Sequence, residues 1–416
     1  MRAVAIVGIG QTPRTQRYFR DTDTYSWKDY IVEATFKAIA NCDKGLEPKD
    51  IDYIVANYHG EGQIQHGGLG PVVAETLGIL PTGCTVLSAN CAGGGVGLNE
   101  AYGLIASGRY NRVLCIGFEK AYDLFNDADK RAIGGDVEFD YELGYDHPTL
   151  QALLQLNAYR DWGFKRTLKC LIQNRVQGLW FAKRTPEANF YDTEFTIDKD
   201  EMFKMIDEMD EDSHFISNDF YDKLPVTRVC EGCAALILVP ADEALSYSSH
   251  PIFLDAVGYK ANSHLLSNQM HDPNPLLSAY TCNDFAAVQL AADEAYKFAG
   301  RKPSELNFCN VYEPHITSFI PMLTATQVTK SCSDMLDFVL DGQTAYDGRL
   351  PCGTDGGRGM FGMTSGSNVG DCVVECVRQM RGLCGERQLK KVDISMAMGM
   401  QGEMGSSACC LLRNSR

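Results

Sequence analysis

Apolar residues fall in short unbroken runs separated by longer amphipathic stretches. Runs at residues 4–7, 53–56, 84–87, 113–117 and 234–239 read as buried strands. Between them, residues 25–39 and the segment after Cys91 carry apolar positions at helical spacing; in the second case these are Leu98, Ala101 and Ile105, with Val96 and Leu104 beside them. A second series follows, with strands at 252–257, 308–312, 394–398 and 408–412 and helices at 284–299 and 370–381. This order predicts an α/β chain of two similar tandem halves, residues 1–250 and 251–416, with the join near 246–250. Residues 121–228 interrupt the first half and are richer in charge and aromatics, with an acidic helical stretch at 198–212. They predict an inserted subdomain or lid over a cleft, the acidic stretch being its solvated face.

Composition narrows the classes. A length of 416 residues is enough for two core-forming domains or one duplicated unit, and 45% hydrophobic with 22% charged residues is ordinary for a globular protein. No apolar run approaches the length of a membrane span. The start, MRAVAIVGIGQTP, reads as a first buried strand ending in a glycine turn rather than as a signal peptide. A net charge of −16 argues against nucleic acid, and a phosphate-bearing ligand needs a local basic patch or a second polypeptide supplying one. Sixteen cysteines without a signal peptide predict reduced thiols in a cytoplasm. Cys230 and Cys233 form one C-x-x-C with no second pair at zinc spacing, and their surroundings read as a turn into a buried strand, so no metal is expected there.

Candidate chemistry starts at Cys91, in the run SANCAGGGVGLNEAYG. An apolar strand precedes it and a helix follows its three glycines, which places the thiol at a strand-to-helix turn. The helix's unpaired N–H groups favour thiolate there, and glycine lets backbone approach a ligand. Such a turn suits a nucleophile, and it equally suits a buried structural cysteine. Among eight histidines, His59, His147 and His315 follow strand ends or lie in loops where α/β proteins place ligands. His66, His214, His250, His264 and His271 have weaker contexts. A loop at residues 350–370 holds seven glycines, an entropic cost that predicts contact with something; the alternative is a flexible surface loop.

In this order the segments resemble the thiolase superfamily, especially sterol-carrier-protein-type thiolases, over essentially the whole chain. The resemblance implies the thiolase fold, two tandem halves in a five-layered α-β-α-β-α arrangement with an inserted loop subdomain. It implies Cys91 as nucleophile. The family's second-half box falls on Tyr312, Glu313, Pro314 and His315, its Gly-His-Pro loop on Gly362, Met363 and Thr364, and its final box near Met398, Gly399 and Met400. Met363 therefore stands where a histidine is usual, and the final box lacks its Cys or His base.

The segments YHGEG, GGLGP, ANC, GFEK, YELGYDH and TDGG look like the phloroglucinol C-acetylating subunits, and the 2-benzoylsuccinyl-coenzyme A thiolase subunits belong to the same group. These relatives imply His59, His147, Tyr312 and Ser365 in the site. They also imply coenzyme A as co-substrate with no permanent cofactor, a small OB-fold zinc-ribbon partner carrying any zinc, and a homodimer. The expected reaction is thiolysis of an aryl or branched β-keto acyl-coenzyme A through an acyl-Cys91 intermediate. Its catalytic residues are Cys91, His147, His315 and His59; Tyr312, Glu313, Ser365, Met363 and Gly357 contact substrate. Oxyanion donors are expected from the N–H of Cys91 and of the 353–359 loop, with Cys352 as a further proton carrier. C-acylation of a phenol, retro-aldol cleavage with Tyr312, and a non-catalytic scaffold are the alternatives.

Overall fold

The computed structural model describes residues 1–15, 25–60, 67–121, 136, 138–140, 142–144, 147–211, 216, 218–263, 285–401 and 404–415. Among these residues, nine strands form one hydrogen-bonded array in the order β3-β2-β4-β5-β1-β6-β9-β8-β7. The first five are β1 (Val4–Gln11), β2 (Tyr53–Tyr58), β3 (Gly83–Ser88), β4 (Val113–Glu119) and β5 (Gly232–Pro240). The other four are β6 (Ile252–Ala261), β7 (Phe308–Val311), β8 (Ile394–Met400) and β9 (Ser406–Asn414).

A short antiparallel pairing of β1 with β6 joins the two series. Read outward from that pair, both show the same directions. β5 lies antiparallel to β1 as β9 does to β6, β4 and β8 follow antiparallel, and β2 and β7 then run parallel to them. β3 adds a further parallel strand beside β2. In the second series that place is held by Cys352, bridged in parallel to Cys309 of β7. The duplication expected from the hydrophobic runs is thus written into the strand directions.

Helices form three further layers. Outside the first series lie α1 (Trp27–Ala40) and α2 (Leu69–Thr76). Between the two series lie α3 (Gly95–Ala106) and α12 (Asn368–Arg381); outside the second lie α8 (Ala286–Ala299), α9 (Ile316–Thr324) and α10 (Cys332–Leu340). Strand residues alternate between these layers because successive side chains leave opposite faces. Leu114, Ile116 and Phe118 of β4 pack with α1 and α2, while Val113 and Cys115 pack toward α3 and α12. Met396 and Met398 of β8 face α8 and α9, and Ala397 faces the central layer. Both faces being covered, the strands read as continuous apolar runs rather than as alternating ones. This is the five-layered α-β-α-β-α arrangement.

Local signals set the helix ends. Asp29 accepts from the N–H and hydroxyl of Ser26 at the start of α1. The acidic stretch forms α6 (Lys199–Glu208), whose first N–H groups at Asp200 and Glu201 are capped by Asp198. It belongs to the segment between β4 and β5, which is helical where described: α4 (His147–Trp162), α5 (Phe164–Ala182), α6 and α7 (Asn218–Asp222). α4 and α5 lie against α9 and α10, and α5 also packs on α11 (Gly357–Phe361), so the insertion leans on the second series. The glycine loop is not a flexible surface loop: apart from the half-buried Met363, residues 350–370 are buried. No helix among the described residues is long and apolar enough to cross a membrane.

Candidate functional site

Cys91 sits on a single 3-10 turn, Asn90–Ala92, between β3 and α3. Asn90 enters it with a φ of 52°, a left-handed value that asparagine tolerates better than most residues. The turn is held from below by β2, because the His59 carbonyl accepts from the Asn90 N–H at 3.2 Å and from the Ser88 hydroxyl at 3.0 Å. Only 6% of Cys91 is exposed, and it joins the core cluster that contains Leu154, Tyr312, Phe319, Met398 and Met400.

The opposing wall comes from the second series. A turn before α12 brings the Ser365 hydroxyl to 3.6 Å from the Cys91 sulfur. The two turns face each other across the central layer, and each lies against a strand of the other half. A Cβ on Gly117 of β4 meets the Gly366 carbonyl oxygen at 2.3 Å. A Cβ on Gly399 of β8 would stand 2.5 Å from Val369 Cγ2 of α12, and at ordinary contact distance from Tyr312 Cβ (3.5 Å) and the Cys91 carbonyl oxygen (3.8 Å). Tyr312 directly follows β7, its N–H bonded to the Met398 carbonyl, and its hydroxyl donates to Met363 Sδ at 2.9 Å. Cys91, Ser365, Tyr312, Met363 and the residues of the final box thus converge. The thioether at 363 accepts a hydrogen bond where an imidazole could have moved a proton.

The histidines fall differently. His59 is buried and reaches the nucleophile turn through its backbone. His147 opens α4, and its side chain lies outside the described residues. His315 is the half-buried N-cap of α9. The early turns of those two helices are tied together by the Thr317 hydroxyl, 2.7 Å from Gln151 Oε1. His66, His214, His264 and His271 lie outside the described residues, and His250 lies at the start of β6, away from these turns.

Glu313 is buried beneath the site. Its carboxylate accepts the Gly359 N–H at 3.2 Å and lies 4.0 Å from the Arg175 guanidinium. Burial pushes it up to about 7, against the pull of Arg175 and of that N–H. A Cβ at Gly357 would stand 1.6 Å from Glu313 Oε1, so this glycine makes room for the carboxylate. The glycine N–H groups of the 353–359 loop are already engaged. Those at Gly353, Gly356, Gly357 and Gly359 are bonded to Cys309 O, Gly353 O, Asp355 Oδ1 and Glu313 respectively. Cys352 is a poor proton carrier as well, because the adjoining Cys309 thiol and burial push it well above the ordinary thiol range. Cys230 packs near Gly362 while Cys233 faces the α1 layer, and no metal-holding group of His, Cys, Asp or Glu occurs among the described residues.

One residue escaped the sequence reading. Glu119 ends β4 with 1% exposure, its carboxylate accepts from the N–H groups of His59 at 2.8 Å and Lys120 at 3.3 Å, and the Gly366 N–H also favours its charged form. Its only signal in the sequence is a charged residue closing an apolar strand, in GFEK.

Residues 269–414 match the family model described as thiolase C-terminal domain-like, and residues 87–134, spanning the Cys91 turn, match that of 3-oxoacyl-[acyl-carrier-protein] synthase III. The chain is 26% identical over 409 residues to an acetyl-CoA acetyltransferase of Methanothermobacter thermautotrophicus, covering 98% of each. It is 24% identical over 401 residues to a steroid side-chain-cleaving aldolase of Thermomonospora curvata, covering 91% of this chain and 90% of the relative. Among solved structures it resembles the Ltp2-ChsH2(DUF35) aldolase, with a TM-score of 0.74, 20% identity, and coverage of 100% of this chain and 98% of that one.

Proposed function

We propose that the chain is an acyltransferase of the thiolase superfamily in which Cys91 carries the acyl group. The observation that carries this reading is the Cys91 thiol set on a turn between the halves, 3.6 Å from the Ser365 hydroxyl and in one cluster with Tyr312. The sulfur attacks the β-carbonyl of a β-keto acyl-coenzyme A and forms a thioester bond. The Cα–Cβ bond breaks, its electron pair leaving on Cα as an enolate that is then protonated. The thiol of coenzyme A next takes the acyl group and returns Cys91 to the thiol. Proton transfers are assigned to His147, with His315 and His59 in support, since imidazole titrates near neutral pH. Tyr312, Ser365, Met363, Glu313 and Gly357 surround or support the substrate.

The apolar and aromatic surroundings of Cys91, including Phe319, Met398 and Met400, support an aryl or branched acyl chain such as that of 2-benzoylsuccinyl-coenzyme A. Coenzyme A is a co-substrate, and no resident cofactor is proposed. The net charge of −16 and the two-component aldolase among the similar structures support a small zinc-ribbon partner. Homodimerisation and a cytoplasmic setting complete the proposal. Incubation with an acyl-coenzyme A, with and without a co-purifying partner, followed by intact-mass measurement, tests it. The expected result is a gain of one acyl group that Cys91→Ser abolishes; no adduct under any condition would refute it.

A second reading, retro-aldol cleavage, draws on the Tyr312 hydroxyl placed against Met363 and on the aldolase among the relatives. It predicts turnover of a β-hydroxy acyl thioester without a Cys91 adduct, abolished by Tyr312→Phe.

A further inference from the structure

We infer that Glu119 is a positioning residue, a clamp that fixes the two facing turns of the Cys91 site to one another. Its carboxylate reaches the nucleophile side through the His59 N–H at 2.8 Å, and the His59 carbonyl in turn holds Asn90, the neighbour of Cys91, at 3.2 Å. On the opposite side the Ser365 turn lies against the end of the same strand: a Cβ on Gly366 would stand 2.2 Å from the carbonyl oxygen of Phe118, the neighbour of Glu119, the Gly366 N–H favours the charged carboxylate, and Gly366 follows Ser365, whose hydroxyl contacts the Cys91 sulfur at 3.6 Å. The third N–H, of Lys120 at 3.3 Å, anchors the carboxylate to its own strand. The end of β4, with Glu119 at its tip, therefore meets both turns.

The duplication shows that this is a local specialisation. Gly117 and Gly399 occupy matching places, each paired with an alanine of the adjoining antiparallel strand, Ala234 and Ala408. Two residues further on stand Glu119 in the first half and Gln401 in the second. Gln401 Oε1 accepts from the Ser406 hydroxyl of its own hairpin at 3.2 Å. An N–H donor on each carboxyl oxygen, His59 on one and Lys120 on the other, favours a carboxyl group over an amide, whose NH2 would face another donor. The neighbouring Glu231 is paired with the Lys120 ammonium at 2.8–2.9 Å, and burial is the main influence raising Glu119, to about 8, against its N–H donors.

The inference rests on Cys91 being the nucleophile for its effect on rate, and its test separates the two. Hydrogen exchange on Glu119→Gln is expected to lose protection in the peptides containing His59 and Gly366. The single-turnover acylation rate of Cys91 is expected to fall about 10-fold or more, with little change in KM, since misplacing a reacting group by a fraction of an ångström is enough. On a Ser365→Ala background the same change is expected to slow acylation less than about threefold, because the contact it supports is already gone. Unchanged exchange, an acylation rate within twofold of the parent, or equal factors on both backgrounds would overturn the inference. Lost protection in a protein whose parent never acylates would support the clamp and sink only the nucleophile reading. Should Glu119→Gln fail to fold, Glu119→Asp, one methylene shorter, is expected to act in the same direction, and no effect there would also overturn the clamp.

Discussion

Gly366→Ala tests whether the second-series turn works by its position. An ideal Cβ at 366 would lie 2.2 Å from the Phe118 carbonyl oxygen, 2.8 Å from Tyr58 Cα and 3.1 Å from the Phe118 carbonyl carbon. All three are backbone atoms of central strands, so no side chain can turn aside. Relief to ordinary contact requires the turn to move by about 1 Å, in an interior packed too densely to absorb it. Ser365 travels with it, and its 3.6 Å contact with the Cys91 sulfur is lost. Overpacking of this kind costs about 1–3 kcal/mol of stability, and a displacement near 1 Å at a reacting pair costs about 100-fold in rate.

The assay is rapid-mix acylation followed by mass spectrometry, with a urea titration beside it. Gly103→Ala is the control: it lies on the exposed side of α3, and a Cβ there meets nothing within 4 Å. It is expected to keep the parent rate and to gain about 0.5–1 kcal/mol from improved helix propensity. Gly366→Ala acylating within threefold of the parent, with less than about 0.5 kcal/mol lost, would refute the reasoning.

Three further outcomes follow from buried charge and from Tyr312. Lys120→Met leaves Glu231 without the ammonium that holds both its oxygens at 2.8–2.9 Å, and urea titration should show a loss of about 3–5 kcal/mol, mostly recovered by adding Glu231→Gln. Glu313 is raised from an ordinary carboxyl value to about 7 in the folded chain. The native state therefore holds a proton that the unfolded chain has lost across the window between, so stability falls as pH rises from about 4.5 to about 7. Glu313→Gln should flatten that part of the pH–stability profile. Tyr312→Phe removes the hydroxyl that donates to Met363, and intact mass should still show the acyl group on Cys91 if acyl transfer is the reaction.

The hydrophobic runs revealed the duplication because strands covered on both faces have no polar side to interrupt them. β7, Phe308–Val311, is short, yet its residues are apolar apart from Asn310, so it stands out as plainly as the long β5. Cys91 was legible for a related reason: a strand, a glycine turn and an amphipathic helix lie consecutively in the chain. Ser365 and Met363 emerged only by resemblance, because nothing local marks a serine 274 positions away as the neighbour of the thiol. Glu119 lay in GFEK, a segment of the resemblance, but its role was not legible there. A single acid at a strand end has many uses, and only the fold brings the His59 N–H, from another strand's end, onto it. Two of the loop's glycines have an interior reason the sequence did not show, since 357 and 359 leave room for a buried carboxylate and a guanidinium: Cβ atoms there would stand 1.6 Å from Glu313 Oε1 and from Arg175 Nη1.

The crossed support of the two turns, each lying against a strand of the other half, bears on how such a protein can change. Neither half owns the reactive centre. A first half moved into another protein would bring the thiol without the surface beneath it, and a substituted second half must match β4 at Gly117 as closely as it matches its own strands. Exchange of whole halves between relatives is therefore closed as a route to new specificity. Variation is left to the inserted helices between β4 and β5, which lean on the second series without joining the strand array.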